Sequence, residues 1–542
     1  MANKILKWKY ELALIAVSGL LLFTGLDKIE VNIMEARNFT TAREMVQNKE
    51  YLLTTLNGEP RYQKPPLPTW LTAISGKVFG FNSLYALRLP VVLITILMVL
   101  TFFHLSKRIG FSPCSSFNNA LILITSFYIF WAGRDNQWDM YTHSFMLVSI
   151  YFLWELFQQD KHELLNSLLA GLFIGFSFLS KGPISFYALL LPFLISYGIV
   201  YRIPLQRKIL YILTTLLVGL TIGQSWYVFV RFSDPESFRA IASREVSNWG
   251  TYEIKPFYYY WDFFLQSGLW AIPSLTALVY PYLKKRVSDL KAYQFAILWT
   301  IISVILLSLI PEKKVRYLVP ALIPLALTTG FYIEYLMRHF NGGLNRIEKI
   351  LCILSFGIIA FIGIVNPFAL LFLLKEGIKD YLFIYVSSSL LMCVFTFRII
   401  KGLGNENFQK VFYTSIALFI LIVVSVLPMS GEFFNNSDYA PASKANALSK
   451  QLSIKTYRLS DIAPEIVWDF GEPIPLIQQK KDTINISKEK QFGLIVNTGD
   501  SIILKSQFYK YKIERLYRIN MHYRKSKKTR LIKDFYLITL KE

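Results

Sequence analysis

Side chains able to do acid–base and phosphate chemistry occur in this sequence in a few tight groups. Glu35, Arg37 and Lys64 form the first, and Arg134, Asp135 and Asp139 the second. Lys181 stands by itself, Arg244 and Glu245 are adjacent, and Lys313, Lys314, Arg316 and Tyr317 close the series. A carboxylate can take the proton of an attacking hydroxyl or amine. Fixed cations can stabilise a phosphate as it leaves. Together they suit transfer of a sugar from a lipid phosphate to an acceptor. No Asp-x-Asp triplet and no glycine-rich phosphate loop occurs, which disfavours a nucleotide-sugar or ATP enzyme.

Such scattered groups need elements that bring them together, and the rest of the sequence supplies apolar helices. Of 542 residues, 54% are hydrophobic and 17% charged, against about 25% charged in a soluble domain. The charges are segregated: Lys208 and Arg231 bracket 22 uncharged residues, and Lys349 and Lys375 bracket 25. A helix crosses the bilayer core with about 20 residues. About thirteen windows qualify, near 10–27, 87–106, 113–132, 140–157, 164–180, 183–201, 209–230, 263–283, 292–311, 317–337, 350–374, 381–397 and 411–430. They predict an all-α polytopic membrane domain over residues 1–430. The basic start, with no small-residue cleavage site at 24–27, reads as a retained first helix.

Lys and Arg concentrate in alternate short loops, among them Lys107, Arg108, Arg202, Arg207, Lys208, Lys284, Lys285, Arg286, Arg398 and Lys401. Cytoplasmic loops carry that excess, so the N-terminus is expected inside and, after an odd number of spans, the C-terminal region outside. The net charge of +22 is explained in this way, and no nucleic-acid partner is expected. The groups with chemistry then fall at the outer ends of spans, at headgroup depth. Long outer segments near 28–86 and 231–262 interrupt the bundle, and the first should carry short helices. The tail, 431–542, reads as a small extracytoplasmic α/β or β-rich domain with strands near 492–496 and 501–504. Its basic stretch, 524–530, reads as a solvated surface that can touch anionic lipid or glycan. Three cysteines, Cys114, Cys352 and Cys393, imply no disulfide framework.

Met34-Glu35-Ala36-Arg37 and Ala42-Arg43-Glu44-Met45, then Leu56-Asn57-Gly58 and Tyr62-Gln63-Lys64-Pro65-Pro66, carry a family resemblance. Trp70-Leu71-Thr72, Ala86-Leu87-Arg88-Leu89-Pro90, Asp139, Leu179-Ser180-Lys181-Gly182-Pro183, and Arg316-Tyr317 with Pro320 and Pro324 extend it to about residue 340. The pattern resembles bacterial lipid A aminoarabinose transferases and the protein O-mannosyltransferase superfamily. That resemblance implies a GT-C fold, a polyprenyl-phosphate sugar donor, inversion at the anomeric carbon and residence in the bacterial inner membrane. It implies an outer-face glycolipid or protein acceptor. Two positions depart from the pattern. Met34 stands where the family generally has Asp, so the base role would pass to Glu35 or Asp139. Gln63 replaces a Glu that helps bind metal, and no His lies between Arg231 and Asp262. No cofactor is therefore assigned, and a divalent metal is carried only as an alternative.

Several groups also have a plainer reading. Glu35 could complement the dipole of a helix start, Asp139 could cap a span, and Lys181 could snorkel from a helix end. Arg244 and Arg316 could pair with lipid headgroups in general, and Tyr317 could be an interface anchor. His143, one turn from Asp139, makes a poor metal site without further ligands. The expected site has Glu35 as general base or acceptor-orienting carboxylate and Asp139 as its catalytic partner. Lys64, Lys181, Arg244 and Arg316 would hold the donor phosphate, with Arg134 and Tyr317 beside them and Arg37 ordering the first loop. The alternatives are an oligosaccharyltransferase of the same fold and a transporter or flippase of lipid-linked glycans. A transporter would place ionisable groups at mid-span, where these windows hold almost none.

Overall fold

The structure is a computed structural model that describes residues 8–541 apart from 250, 252, 406, 434–435, 478, 481–482, 485–489, 501–503 and 505–506. The chain divides into two compact units. The larger comprises Met1–Leu26, Gln63–Pro68 and Arg88–Met429; the smaller comprises Asp27–Tyr62, Thr69–Leu87 and Ser430–Glu542.

The larger unit is a helical membrane bundle. Among the described residues, eight helices are long and apolar enough to cross a bilayer: Leu84–Ile109, Glu163–Lys181, Leu205–Ser233, Leu290–Leu309, Val315–His339, Arg346–Leu374, Gly377–Gly404 and Phe408–Phe433. The other five expected windows are also helical, but shorter, broken or more polar. Lys9–Phe23 has 15 residues. Ser126, in extended conformation, separates Pro113–Thr125 from Phe127–Ala132. Trp138–Gln158 is one 21-residue helix enriched in buried polar side chains. A π-turn over Phe186–Leu190 leads into Leu191–Val200, and Gly268, at φ 60°, breaks the eighth window into short pieces.

Two devices set the helix register around the chemistry-bearing residues. Trp138–Gln158 and Glu163–Lys181 run antiparallel and exchange side-chain hydrogen bonds. Thr142 Oγ1 donates to the Ser177 carbonyl at 2.9 Å, Ser177 Oγ donates to the Thr142 carbonyl at 2.8 Å, and Ser149 Oγ donates to the Ala170 carbonyl at 2.9 Å. One turn beyond the Thr142–Ser177 pair, that register brings Asp139 level with Lys181. The second device is a small-residue seam between Glu163–Lys181 and Leu205–Ser233, of the kind that lets membrane helices approach closely. A Cβ on Gly175 would lie 2.6 Å from Ile222 Cβ, and one on Gly219 would lie 2.5 Å from Ile174 Cγ2.

The smaller unit joins the first outer segment to the tail. Helix Ile33–Asn48 packs on tail helix Pro464–Phe470. Arg43 donates to the carbonyls of Trp468 and Val467 at 2.9 and 3.1 Å, with its guanidinium 5.0 Å from the Trp468 ring. Asn57 and Gly58, both at positive φ, make the tight Asn-Gly turn between Thr55–Leu56 and Glu59–Pro60 that such hairpins favour. Glu44 anchors this turn by accepting from Asn57 N at 2.7 Å, Gly58 N at 3.2 Å and Thr55 Oγ1 at 2.5 Å. Asn57 also exchanges hydrogen bonds with the backbone of Ile474. The tail itself is α/β. Its four-stranded sheet has Gln491–Asn497 between Thr456–Arg458, which is parallel to it, and Ile532–Leu540, with Tyr511–Asn520 at the edge. The strand expected near 492–496 lies here. Of the one expected near 501–504, residues 501–503 lie outside the described residues and Leu504 is helical.

Candidate active site

Asp139 lies in the first turn of Trp138–Gln158, and Lys181 in the last turn of Glu163–Lys181. Gly182, at φ 80° and ψ −155°, ends the latter helix in a conformation open to glycine. Lys181 Nζ donates to Asp139 Oδ1, and the two side chains are only 7% and 2% exposed. Asp139 Oδ2 is buried and has no hydrogen-bond partner among the described residues. A buried carboxylate of this kind needs its cation to remain charged. The pair therefore leaves an acceptor oxygen facing further donors.

Those donors come from the start of Val315–His339. Arg316 is an electrostatic neighbour of both Asp139 and Lys181, and its buried Nε has no hydrogen-bond partner among the described residues. Tyr317 is enclosed by cations: its ring centroid is 4.8 Å from Lys181 Nζ, 5.6 Å from Arg316 Cζ and 5.9 Å from Lys314 Nζ. Its hydroxyl donates to Glu312 Oε1 at 3.1 Å, and Glu312 also pairs with Lys314.

The aromatic segment before the eighth window braces this turn. Tyr260 OH accepts from Lys314 N at 2.9 Å and donates to the Lys314 carbonyl at 3.0 Å. Burial pushes the Tyr260 phenol above its ordinary range, so it remains a donor. Lys313 Nζ ties the same turn to the carbonyls of Lys255 and Ile310 at 3.0 and 2.6 Å. Glu312 and Tyr260 were not singled out as site residues from the sequence. The available signal was an acid among the three cations that follow Pro311, beside a Tyr-rich outer segment.

The remaining expected site residues lie in varied settings. Lys64 is an electrostatic neighbour of Lys181 and forms a half-exposed pair with Glu245 at 3.8 Å. Arg244, on helix Pro235–Trp249, is exposed. Arg134 donates to the carbonyls of Leu21, Leu22 and Thr24 at 2.6, 2.9 and 2.5 Å. Its guanidinium thus caps the C-terminus of Lys9–Phe23, where a cation suits both the unpaired carbonyls and the dipole. Arg88 extends the cap to the Leu26 carbonyl.

Glu35 and Arg37 belong to the smaller unit. Glu35 is fully buried in the first turn of Ile33–Asn48, where Asn32 caps the backbone N–H groups of Met34 and Glu35 at 2.8 and 3.2 Å. Arg37 is half-buried, with Nη1 3.9 Å from Met34 Sδ. His143 is paired with Ser185 Oγ at 3.0 Å. Among the described residues, no three His, Cys, Asp or Glu side chains stand together to hold a metal.

Residues 63–227 match the family of dolichyl-phosphate-mannose-protein mannosyltransferases. An uncharacterized protein of Aquifex aeolicus is 26% identical over 385 residues, which is 68% of this chain and 75% of that one. The undecaprenyl phosphate-alpha-4-amino-4-deoxy-L-arabinose arabinosyl transferase 2 of Pseudomonas fluorescens is 26% identical over 349 residues, covering 62% of this chain. The alignment spans 57% of that transferase, less than two thirds of its length. The crystal structure of ArnT from Cupriavidus metallidurans bound to undecaprenyl phosphate has the same fold, with a TM-score of 0.71 at 14% identity over 98% of both chains.

Proposed function

We propose that this chain, an aminoarabinose-transferase-like GT-C glycosyltransferase in sequence and fold, moves a sugar from a polyprenyl-phosphate carrier to a glycolipid or protein at the outer membrane face. The observation that carries the reading is the cluster of buried Asp139 with the partly buried Lys181, Arg316 and Tyr317 at the ends of apolar helices. Asp139 neutralises and orients Lys181. Arg316 supplies a second, delocalised charge with an open donor, of the kind that binds phosphate oxygens well.

In the reaction, an acceptor oxygen or nitrogen forms a bond to the anomeric carbon. The bond from that carbon to the phosphate oxygen breaks, and its electron pair leaves on the lipid phosphate. Lys181 and Arg316 stabilise that charge more strongly in the transition state than in the donor ester. The acceptor's proton passes to a carboxylate. Asp139, already committed to Lys181, is a positioning residue. Lys64 and Arg244 are assigned to the outer rim of the donor phosphate, Arg37 to ordering the first loop, and Arg134 to the helix cap.

The multi-pass chain is placed with its N-terminus in the cytoplasm. The first outer segment and the tail pack as one unit, which supports an even number of crossings between Leu87 and Ser430. Twelve of the thirteen windows lie in that interval, and the excess of Lys and Arg in alternate loops then puts the smaller unit outside.

Mass spectrometry of envelope glycolipids and glycoproteins tests the reading and identifies the acceptor. A strain lacking the chain should lose one defined sugar mass increment. Unchanged spectra in a strain shown to express the protein would contradict it.

A further inference from the structure

The helix break at Ser126 seats an aromatic residue beside the Asp139–Lys181 pair. Trp270 Nε1 donates to Thr125 Oγ1 at 2.9 Å, and a Cβ on Gly268 would lie 2.6 Å from Phe127 Cβ. The breaks at Ser126 and Gly268 therefore pack on one another, and Tyr128 follows at the second position of Phe127–Ala132. Tyr128 is half-buried and is an electrostatic neighbour of Asp139, Asp135, Arg316 and Tyr260. All these residues belong to the larger unit. The Tyr128 hydroxyl enters no hydrogen bond among the described residues.

Two groups without hydrogen-bond partners among the described residues thus stand in one cluster. The phenol of Tyr128 can donate and accept, whereas Asp139 Oδ2 can only accept. Asp139 is 1% exposed, and a buried carboxylate oxygen left without a donor is costly. A phosphate oxygen cannot supply that donor and is repelled by the carboxylate. An ammonium would meet the positive charges of Lys181 and Arg316. A neutral hydroxyl fits both groups at once, since it donates to the carboxylate and accepts from the phenol.

We infer that Tyr128 and Asp139 Oδ2 together bind one hydroxyl of the donor sugar, the one on the carbon next to the anomeric centre. Arg316 neighbours both residues, so this hydroxyl lies beside the phosphate that Arg316 holds. On a glycosyl phosphate the hydroxyl nearest the phosphate is the vicinal one. Asp139 keeps Lys181 in place through Oδ1 and reads the sugar through Oδ2. The inference rests on the sugar-transfer reading and narrows it to sugars with a free hydroxyl at that carbon. Donors with a 2-deoxy or 2-acetamido sugar are rejected, because an analogue lacking the hydroxyl leaves the site's polar groups open.

The test measures binding to the full chain in detergent, by displacement of radiolabelled undecaprenyl phosphate. The competitors are the unlabelled carrier, the carrier loaded with glucose, mannose, galactose or xylose, and the 2-deoxy analogue of whichever sugar binds best. Wild type should bind that loaded carrier at least about tenfold more tightly than its 2-deoxy analogue. Tyr128→Phe should weaken the hydroxylated donor about threefold to tenfold, and the 2-deoxy donor and bare carrier by less than about twofold. Equal weakening of all three, or a wild-type preference that survives in Tyr128→Phe, would overturn the proposal. So would wild type that binds the carrier but does not distinguish the sugar from its 2-deoxy analogue, a comparison that needs no substitution and stands even if Tyr128→Phe unfolds. Wild type that binds no undecaprenyl phosphate at all would remove the sugar-transfer reading itself, and the proposal with it.

Discussion

Asp139 and Lys181 close a buried ion pair at the adjoining ends of two antiparallel helices that Thr142 and Ser177 lock by reciprocal hydrogen bonds. Removing one buried partner strands the other charge, at about 3–5 kcal/mol, whereas removing both relieves much of that cost. Lys181→Met is therefore expected to lower thermal stability in detergent substantially. The double variant Asp139→Asn/Lys181→Met should be more stable than Lys181→Met. A double variant that loses the sum of the two single losses would contradict the pairing.

The glycine seam gives a prediction about packing alone. Gly219→Ala places a methyl 2.5 Å from Ile174 Cγ2, and overpacking of this kind costs about 1–3 kcal/mol. Gly357→Ala meets nothing within 4 Å and should be neutral or slightly stabilising, since alanine favours helix. Thermal unfolding of both variants in one detergent checks the contrast.

Arg134 separates two uses of a buried arginine. As a cap for Lys9–Phe23, its replacement by Gln should lose about 1–3 kcal/mol of stability by leaving carbonyls unpaired. Donor affinity of the folded fraction should change by less than about twofold. A large affinity loss at unchanged stability would return Arg134 to the donor phosphate.

Much of this was legible in the sequence. Uncharged runs such as the 25 residues before Lys375 could be little else than membrane helices. Asp139, Lys181, Arg316 and Tyr317 stood among the groups expected at the outer ends of such runs, but their places there did not separate them from Glu35, Arg134 or Arg244. Breaks at Ser126 and Gly268 were not visible, because neither residue interrupts hydrophobicity. Nor did residue type reveal how each cation is used. Arg134 meets backbone carbonyls and Arg316 meets side chains, a difference set by helix register. The first-loop motif was specific for a reason its composition hides: Arg43 and Glu44 serve the packing of Ile33–Asn48 on its own hairpin and on the tail.

Packing of the first outer segment on the tail predicts a shared membrane side. In a background with Cys114 and Cys393 replaced, Lys49→Cys and Lys512→Cys should both react with an impermeant maleimide in intact spheroplasts. Lys401→Cys should react only after lysis. Opposite accessibility of the first two would contradict the assigned topology.

The most direct test of the central claim is turnover of radiolabelled polyprenyl-phosphate sugar by protein reconstituted in proteoliposomes, comparing wild type with Arg316→Gln. Arg316→Gln should transfer sugar at least a hundredfold more slowly, with the lost rate in the chemical step, because one stabilising donor of this kind is worth about 10²–10³. Wild-type turnover of the sugar donor with Arg316→Gln at full rate would contradict the account.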